Sequence, residues 1–258
     1  MADEPILQVK GLSKSFGNVR AVKDISFSLR QGEIFSLVGE SGSGKTTAAR
    51  CIIRIYRPDE GSILFQGKDI SGSLSRAGQL ELAKNMQMIF QDPLSSLNPK
   101  KTVFDIIASG LDVHRLYGSK KERAEKVHAM MEEVGLSPEL SGRRPIQFSG
   151  GQRQRIAIAR ALIIRPSLII ADEPLSSLDV SIQSQIVNLL LSLREKYGIT
   201  LLFIGHDLRM VRFLSDRIAV MQEGEIVECG KAEDLFSRPS HPYTQSLLGS
   251  ILSPVPNG

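Results

Sequence analysis

The chain has 258 residues, 41% hydrophobic and 23% charged, and 32 Lys plus Arg against 28 Asp plus Glu leave a net charge of +4. At about 150 residues per domain this length gives roughly 1.7 domains, so one large domain or a core with a substantial insertion is expected, and a mini-protein that needs staples is excluded. No stretch approaches the roughly 18 consecutive apolar residues of a membrane span, because the most apolar segment, Ala161 to Ala171, is interrupted by Arg165, Pro166 and Ser167.

The first ninety or so residues read as strands, at Ile6 to Val9, Ile25 to Leu29, Ile34 to Val38, Ser62 to Phe65 and Met86 to Phe90. Turn compositions break them at Gly17-Asn18, Gln31-Gly32 and Asp59-Glu60-Gly61. One early crossover helix, Lys45 to Tyr56, stops before Pro58. From Thr102 to about Leu140 the pattern turns helical, with Val103, Ile106, Ile107 and Leu111, then Ala124, Val127, Met130, Met131 and Val134, three and four apart. This reads as a helical insertion. After it come helix Gly151 to Ile164, strand Leu168 to Ala171, helix Val180 to Lys196, strand Thr200 to Ile204, helix Leu208 to Leu214 and strand Ile218 to Met221. Strands that alternate with helices predict an α/β fold with a parallel sheet covered on both faces.

The opening Met1-Ala2-Asp3-Glu4-Pro5 is acidic and has neither the basic nor the apolar region of a secretory signal, which predicts a cytosolic protein. Cys51 and Cys229 lie far apart and outside any Cys-x-x-Cys spacing, and read as two buried thiols rather than a disulfide or zinc site. The four histidines, His114, His128, His206 and His241, include no i, i+4 pair, so the only metal expected is one that a ligand brings. Basic residues are dispersed except at Arg143-Arg144 and Arg153 to Arg160, a weak ground for nucleic-acid binding.

Gly39-Glu40-Ser41-Gly42-Ser43-Gly44-Lys45-Thr46 satisfies G-x-x-x-x-G-K-[ST] where the mechanism requires it, after an apolar strand and at the start of a helix. The glycines let successive N–H groups converge on one concavity, and the helix N-terminus adds partial positive charge. Lys45 is expected to reach the β- and γ-phosphates of a nucleotide, with Thr46 ligating magnesium and Thr47 lining the same site. An ordinary Gly-rich turn is the competing reading, and the flanking strand and helix argue against it. A second site narrows the chemistry to hydrolysis. The apolar strand Leu168 to Ala171 runs into two carboxylates, Asp172 and Glu173, and parallel sheets present ligands at the carboxyl ends of their strands. Asp172 suits a magnesium ligand and Glu173 a base or orienter for the attacking water. The alternative, a helix-capping acid pair before Pro174, leaves a buried strand aiming two charges at nothing.

With these residues in place, the chain resembles the ATP-binding cassette family, the ATPase subunits of ABC transporters, along nearly its whole length. Phe148-Ser149-Gly150-Gly151-Gln152 looks like the family's signature motif, normally written with Leu first. Gln91 falls at the Q-loop, Ser177-Leu178-Asp179 at the D-loop, and His206 at the switch histidine. The resemblance implies a P-loop ATPase core with a mixed, mainly parallel central sheet, an N-terminal antiparallel β subdomain and a helical subdomain insertion. It divides the chain into a core of residues 1–92 and 165–237, a signature subdomain of 93–164 and a short tail of 238–258. It also implies a head-to-tail dimer, homo- or heteromeric, in which Ser149 and Gly151 of one protomer, with Gly150, Gln152 and Asp179 nearby, close over the nucleotide held by Lys45 of the other. In that picture Gln91 is a sensor of γ-phosphate and magnesium, and His206 positions γ-phosphate and water. Two positions depart from the pattern: Gly205 stands before the switch histidine where Thr is common, and Phe16 stands where Tyr usually stacks on adenine. A core residue at a strand end is the other reading of Phe16.

Two further segments resemble the oligopeptide, dipeptide and nickel importer ATPases: Phe90 to Pro99 as an extended, loop-shaped Q-loop, and His241-Pro242-Tyr243-Thr244-Gln245-Ser246-Leu247-Leu248 as a C-terminal motif read as structural packing. Longer members carry a cysteine cluster beyond that motif; this chain stops 14 residues after Thr244, and no iron–sulfur cluster is expected. The resemblance implies ATP and Mg2+ as ligands and a place on the cytoplasmic face of the cell membrane. Its partners there would be a second ATPase subunit, two membrane permease subunits and, indirectly, an outer solute-binding protein, with no nucleic acid. The competing reading is a soluble ABC-type ATPase acting on nucleic acid or ribosomes. The 57 residues between Gln91 and Ser149 are too few for the long coiled coil that such proteins carry. A P-loop kinase, the third reading, has no use for a signature motif.

Overall fold

Gly17 and Asn18 turn the chain between strands β1 (Leu7–Phe16) and β2 (Val19–Leu29), in a computed structural model that describes residues 4–252. The all-apolar run before the glycine-rich loop forms β3 (Ile34–Val38), every residue of which is buried, and helix α1 (Lys45–Ile52) follows. Next come β4 (Glu60–Phe65), β5 (Lys68–Asp69), α2 (Arg76–Asn85), β6 (Met86–Ile89) and a single helical turn, α3 (Pro93–Ser96). The insertion forms α4 (Val103–His114) and α5 (Lys120–Glu133), each started by a hydroxyl cap. Thr102 Oγ1 accepts from the Asp105 N–H and Ser119 Oγ from the Glu122 N–H. The remaining elements are α6 (Gly150–Leu162), β7 (Leu168–Asp172), α7 (Val180–Tyr197), β8 (Thr200–Gly205), α8 (Leu208–Leu214), β9 (Arg217–Gln222), β10 (Glu225–Lys231), α9 (Ala232–Ser237) and α10 (Pro242–Leu252).

These elements fall into two compact units, divided after Ser73 and before Thr200. The unit formed by both ends of the chain holds an antiparallel sheet in the order β2-β1-β4-β5. It also holds a mainly parallel array in which β3 pairs with β8 on one side and β9 on the other, with β10 antiparallel at the edge of β9. Apolar side chains on β3, β8 and β9 are almost wholly buried, as parallel strands covered on both faces require. The unit of residues 74–199 holds β6 and β7, paired in parallel with Met86 opposite Leu168 and Ile89 opposite Ala171. Its helices pack α4 and α5 on α6, with Ile107, Leu111, Val127 and Met131 buried among them. The architecture is thus α/β, with a mixed sheet, an N-terminal antiparallel sheet and a helical segment in the expected place.

Four expectations need correction. The first ninety residues contain a second helix, α2, none of whose residues is buried; without an apolar stripe it leaves no periodic signal. The stretch from Asp92 to Pro99 is not all loop, because the Asp92 carboxylate accepts from the Leu94 and Ser95 N–H groups and nucleates α3, with Pro93 at its first position. Glu60 and Gly61 do not break the sheet but start β4, Gly61 lying where its backbone meets that of Gly11 at an irregularity in β1. Cys51 is buried as expected, but Cys229 on the edge strand β10 is exposed.

Candidate nucleotide site

In the first unit, β3 ends at Val38 and the loop of residues 39–44 closes tightly on its neighbours. A Cβ on Gly39 (φ +150°) would lie 2.0 Å from the Met221 carbonyl oxygen, and one on Gly44 (φ +102°) 2.2 Å from that of Ala21. Only glycine fits these two positions. Gly44→Ala is expected to lower the melting temperature by several degrees and to weaken nucleotide binding, measured by thermal unfolding and by titration with a fluorescent ATP analogue; unchanged values for both would remove the close approach from the account.

Gly44 caps α1 without a side chain, and the first turn carries no acidic residue, so no acidic side chain of that turn offsets the partial positive charge of the helix N-terminus. Lys45 is 3% exposed and folds back along the loop. Its Nζ donates to the carbonyls of Gly39 (2.9 Å) and Glu40 (2.7 Å) and to Ser43 Oγ (3.2 Å). Ser43, which the motif leaves open, is therefore a lysine partner. Thr46 and Thr47 follow, half-buried, and Glu40, Ser41 and Gly42 are exposed. Parallel pairing sets Gly205 opposite Val38, so His206 leaves β8 at the same sheet edge from which Gly39 leaves β3, and it is exposed there. Phe16 is 45% exposed, which excludes a core role; its ring meets Tyr56 edge-on at 5.2 Å.

In the second unit the same logic of register joins Gln91 to Glu173. With Ile89 opposite Ala171, two further residues on each strand bring these side chains together, and Gln91 Nε2 donates to Glu173 Oε2 at 3.1 Å. Asp172, the last residue of β7, is 1% exposed. Glu173 takes a left-handed backbone at φ +44°, a conformation that costs a non-glycine residue about 1 kcal/mol or more and that concentrates at functional sites. Behind Gln91, Arg160 of α6 donates to the Ser96 carbonyl at 2.7 Å and fixes the α3 turn to the helix that carries the signature residues.

At the head of α6, Ser149 and Gln152 form a reciprocal cap: Ser149 Oγ accepts from the Gln152 N–H (3.3 Å), and Gln152 Oε1 accepts from the Ser149 N–H (3.0 Å). Gly150 is exposed, and a Cβ on Gly151 would press to 2.7 Å on Ile182 of α7. Asp179 is exposed at the start of α7, where its side chain makes no capping bond.

The profile of ABC transporters, a family model, matches residues 22–176. The chain belongs to the ABC transporter family. The Oligopeptide/dipeptide transporter, C-terminal region, matches residues 227–258 of this ABC chain. It is 54% identical over 258 residues to the oligopeptide transport ATP-binding protein OppF of Bacillus subtilis, covering 98% of this chain and 85% of that one. It is 51% identical over 257 residues to the oligopeptide transport ATP-binding protein AmiF of Streptococcus pneumoniae, covering 98% and 83%. Among solved structures it is similar to cbiO1 of Clostridium perfringens, part of the ABC transporter complex cbiONQ, with a TM-score of 0.81 at 29% identity over 91% of each chain. It is also similar to the ATP-binding cassette MJ0796, a dimer in a post-hydrolysis state bound to ADP and Pi, with a TM-score of 0.77 at 30% identity over 88% of this chain and 98% of that one.

One contact of this ABC chain was not legible in the sequence. Tyr243, in the tail motif read as packing, accepts a hydrogen bond from the Glu40 N–H in the phosphate loop at 3.1 Å.

Proposed function

We propose that this chain is the ATP-hydrolysing subunit of an importer of oligopeptides. The observation that carries the chemistry is the Gln91–Glu173 hydrogen bond beside the buried Asp172, in a chain of the ABC transporter family. The cargo class rests on the names of relatives about half identical to it, which favour peptide over the nickel that the subfamily resemblance also allowed. Those relatives leave the nucleic-acid reading without support.

Lys45 exchanges its carbonyl partners for the β- and γ-phosphates, and the amides of residues 39–47 hold the phosphate oxygens. Phe16 stacks on the base. Magnesium, when bound with the nucleotide, neutralises charge on the β- and γ-phosphates. Taken one by one, the candidate ligands have the donor chemistry such an ion prefers. Thr46 hydroxyl, Gln91 amide oxygen and Asp172 carboxylate are hard oxygen donors, and Gln91 spends its amide nitrogen on Glu173, which leaves the oxygen for a cation. Among the described residues no group of three or more His, Cys, Asp or Glu side chains could hold a metal ion. Glu173 accepts a hydrogen bond from the attacking water and orients it, with His206 positioning water and γ-phosphate.

Ser149, Gly150, Gly151 and Gln152 of a second ATPase subunit, with Asp179 beside them, complete the site across a head-to-tail dimer. The mechanical parts are then the core of 1–92 and 165–237 and the signature segment of 93–164. No helix among the described residues is long and apolar enough to cross a membrane. The family and the oligopeptide-transport relatives support a chain that acts with two permease subunits at the cytoplasmic face of the membrane, supplied by an outer binding protein. Co-purification with permease subunits, and ATP hydrolysis stimulated by peptide and binding protein in vesicles, test this reading. Retention on nucleic acid or ribosomes without a membrane partner contradicts it.

A further inference from the structure

We infer that Tyr243 of the C-terminal motif is a positioning residue for ATP binding, holding the first peptide unit of the phosphate loop in place once Lys45 has turned to the nucleotide. The inference rests on the reading of Lys45 as the phosphate-binding lysine.

Gly39 and Glu40 share one peptide unit, and both of its polar groups are engaged. Its carbonyl oxygen accepts from Lys45 Nζ at 2.9 Å, and its N–H donates to Tyr243 Oη at 3.1 Å. The Glu40 carbonyl, one unit further on, also accepts from Lys45 at 2.7 Å. When the ammonium moves to phosphate, both carbonyls lose it. Gly39 has no Cβ to restrain rotation of that peptide. The bond from Tyr243 lies on the N–H side, away from the lysine, and is unaffected by its departure.

The hydroxyl is held from outside the loop. The Glu228 carboxylate on β10 accepts from the Ser240 N–H and Ser240 Oγ, both at 2.8 Å, and from the His241 N–H at 3.1 Å. Burial acts to raise the Glu228 carboxyl, but these donors outweigh it and hold the group below the usual carboxylate range. His241 Nδ1 then accepts from the Tyr243 N–H at 3.2 Å, and Gln245 Nε2 donates to the Pro239 carbonyl at 3.0 Å. The helix so fixed, α10, packs on α8, the helix that follows His206, and buries Leu248. One element at the end of the chain thus braces the phosphate loop and the helix behind the switch histidine.

The test is steady-state ATP hydrolysis by the full chain, assembled with its partner subunits, carrying Tyr243→Phe, which removes one hydroxyl and keeps the ring. Loss of one neutral hydrogen bond is expected to raise the KM for ATP about five-fold, with kcat and the melting temperature unchanged. Glu228→Gln, which loosens the anchor, is expected to shift KM in the same direction. An unchanged KM in Tyr243→Phe overturns the inference, as does a KM rise accompanied by equal losses of kcat and melting temperature, the mark of a merely structural role. Lys45→Ala separates the two levels: if it binds ATP like the wild type, the phosphate-loop reading itself fails, whereas if it loses ATP while Tyr243→Phe does not, only the role of Tyr243 fails.

Discussion

Glu173→Gln is expected to slow ATP hydrolysis by about 10²–10⁴-fold, the range for loss of a general base, while ATP still binds. The substitution keeps the side chain's length and one of its oxygens, so Gln91 can still donate to it and the left-handed turn at φ +44° is retained. What disappears is the anionic acceptor for the proton of the attacking water. Binding through Lys45 and the loop amides does not involve this carboxylate, so nucleotide is expected to accumulate unhydrolysed and to hold two ATPase subunits together. Single-turnover hydrolysis of bound ATP, with sedimentation of the same sample, measures both effects. Turnover at the wild-type rate would remove Glu173 from the role assigned to it.

The second large effect is expected from Ser149→Arg. Ser149 is exposed, and the described bond of its side chain is the one it accepts from the Gln152 N–H in the reciprocal cap. Losing the cap costs about 1 kcal/mol of helix stability, which α6 tolerates because Ile156, Ala157, Ile158 and Ala159 are wholly buried. The chain should therefore fold and bind ATP much as before. The added guanidinium stands where the proposed second subunit must approach the γ-phosphate closely, and hydrolysis is expected to fall to background. Equilibrium binding of a fluorescent ATP analogue, set beside phosphate release, separates the two outcomes. Hydrolysis indifferent to the substitution would argue that the site is complete within one subunit.

Much of this was legible because the informative signals were local or strictly periodic. The bounds of β3 and α8 coincide with those expected from apolar runs and turn residues, and the glycine-rich loop lies between β3 and α1 as its spacing requires. The meeting of Gln91 with Glu173 follows from parallel register, although a sequence alone does not supply the register. Other features left no trace. Helix α2 buries nothing, and so has no stripe to reveal it. The habits of cysteine predict burial for Cys229, yet it lies on the edge strand β10 and is exposed. Tyr243 reaches a backbone N–H 203 residues away, and a partner without a side chain offers no residue type to recognise.

The central claim is that hydrolysis requires two ATPase subunits, each completing the nucleotide site of the other. The most direct test is the specific rate of ATP hydrolysis as this chain is titrated with itself or with the second ATPase of its transporter, with the sedimentation mass recorded at each point. The account predicts a specific rate that climbs with concentration and levels off as the pair forms. Full specific activity in a sample that sediments as a monomer would contradict it.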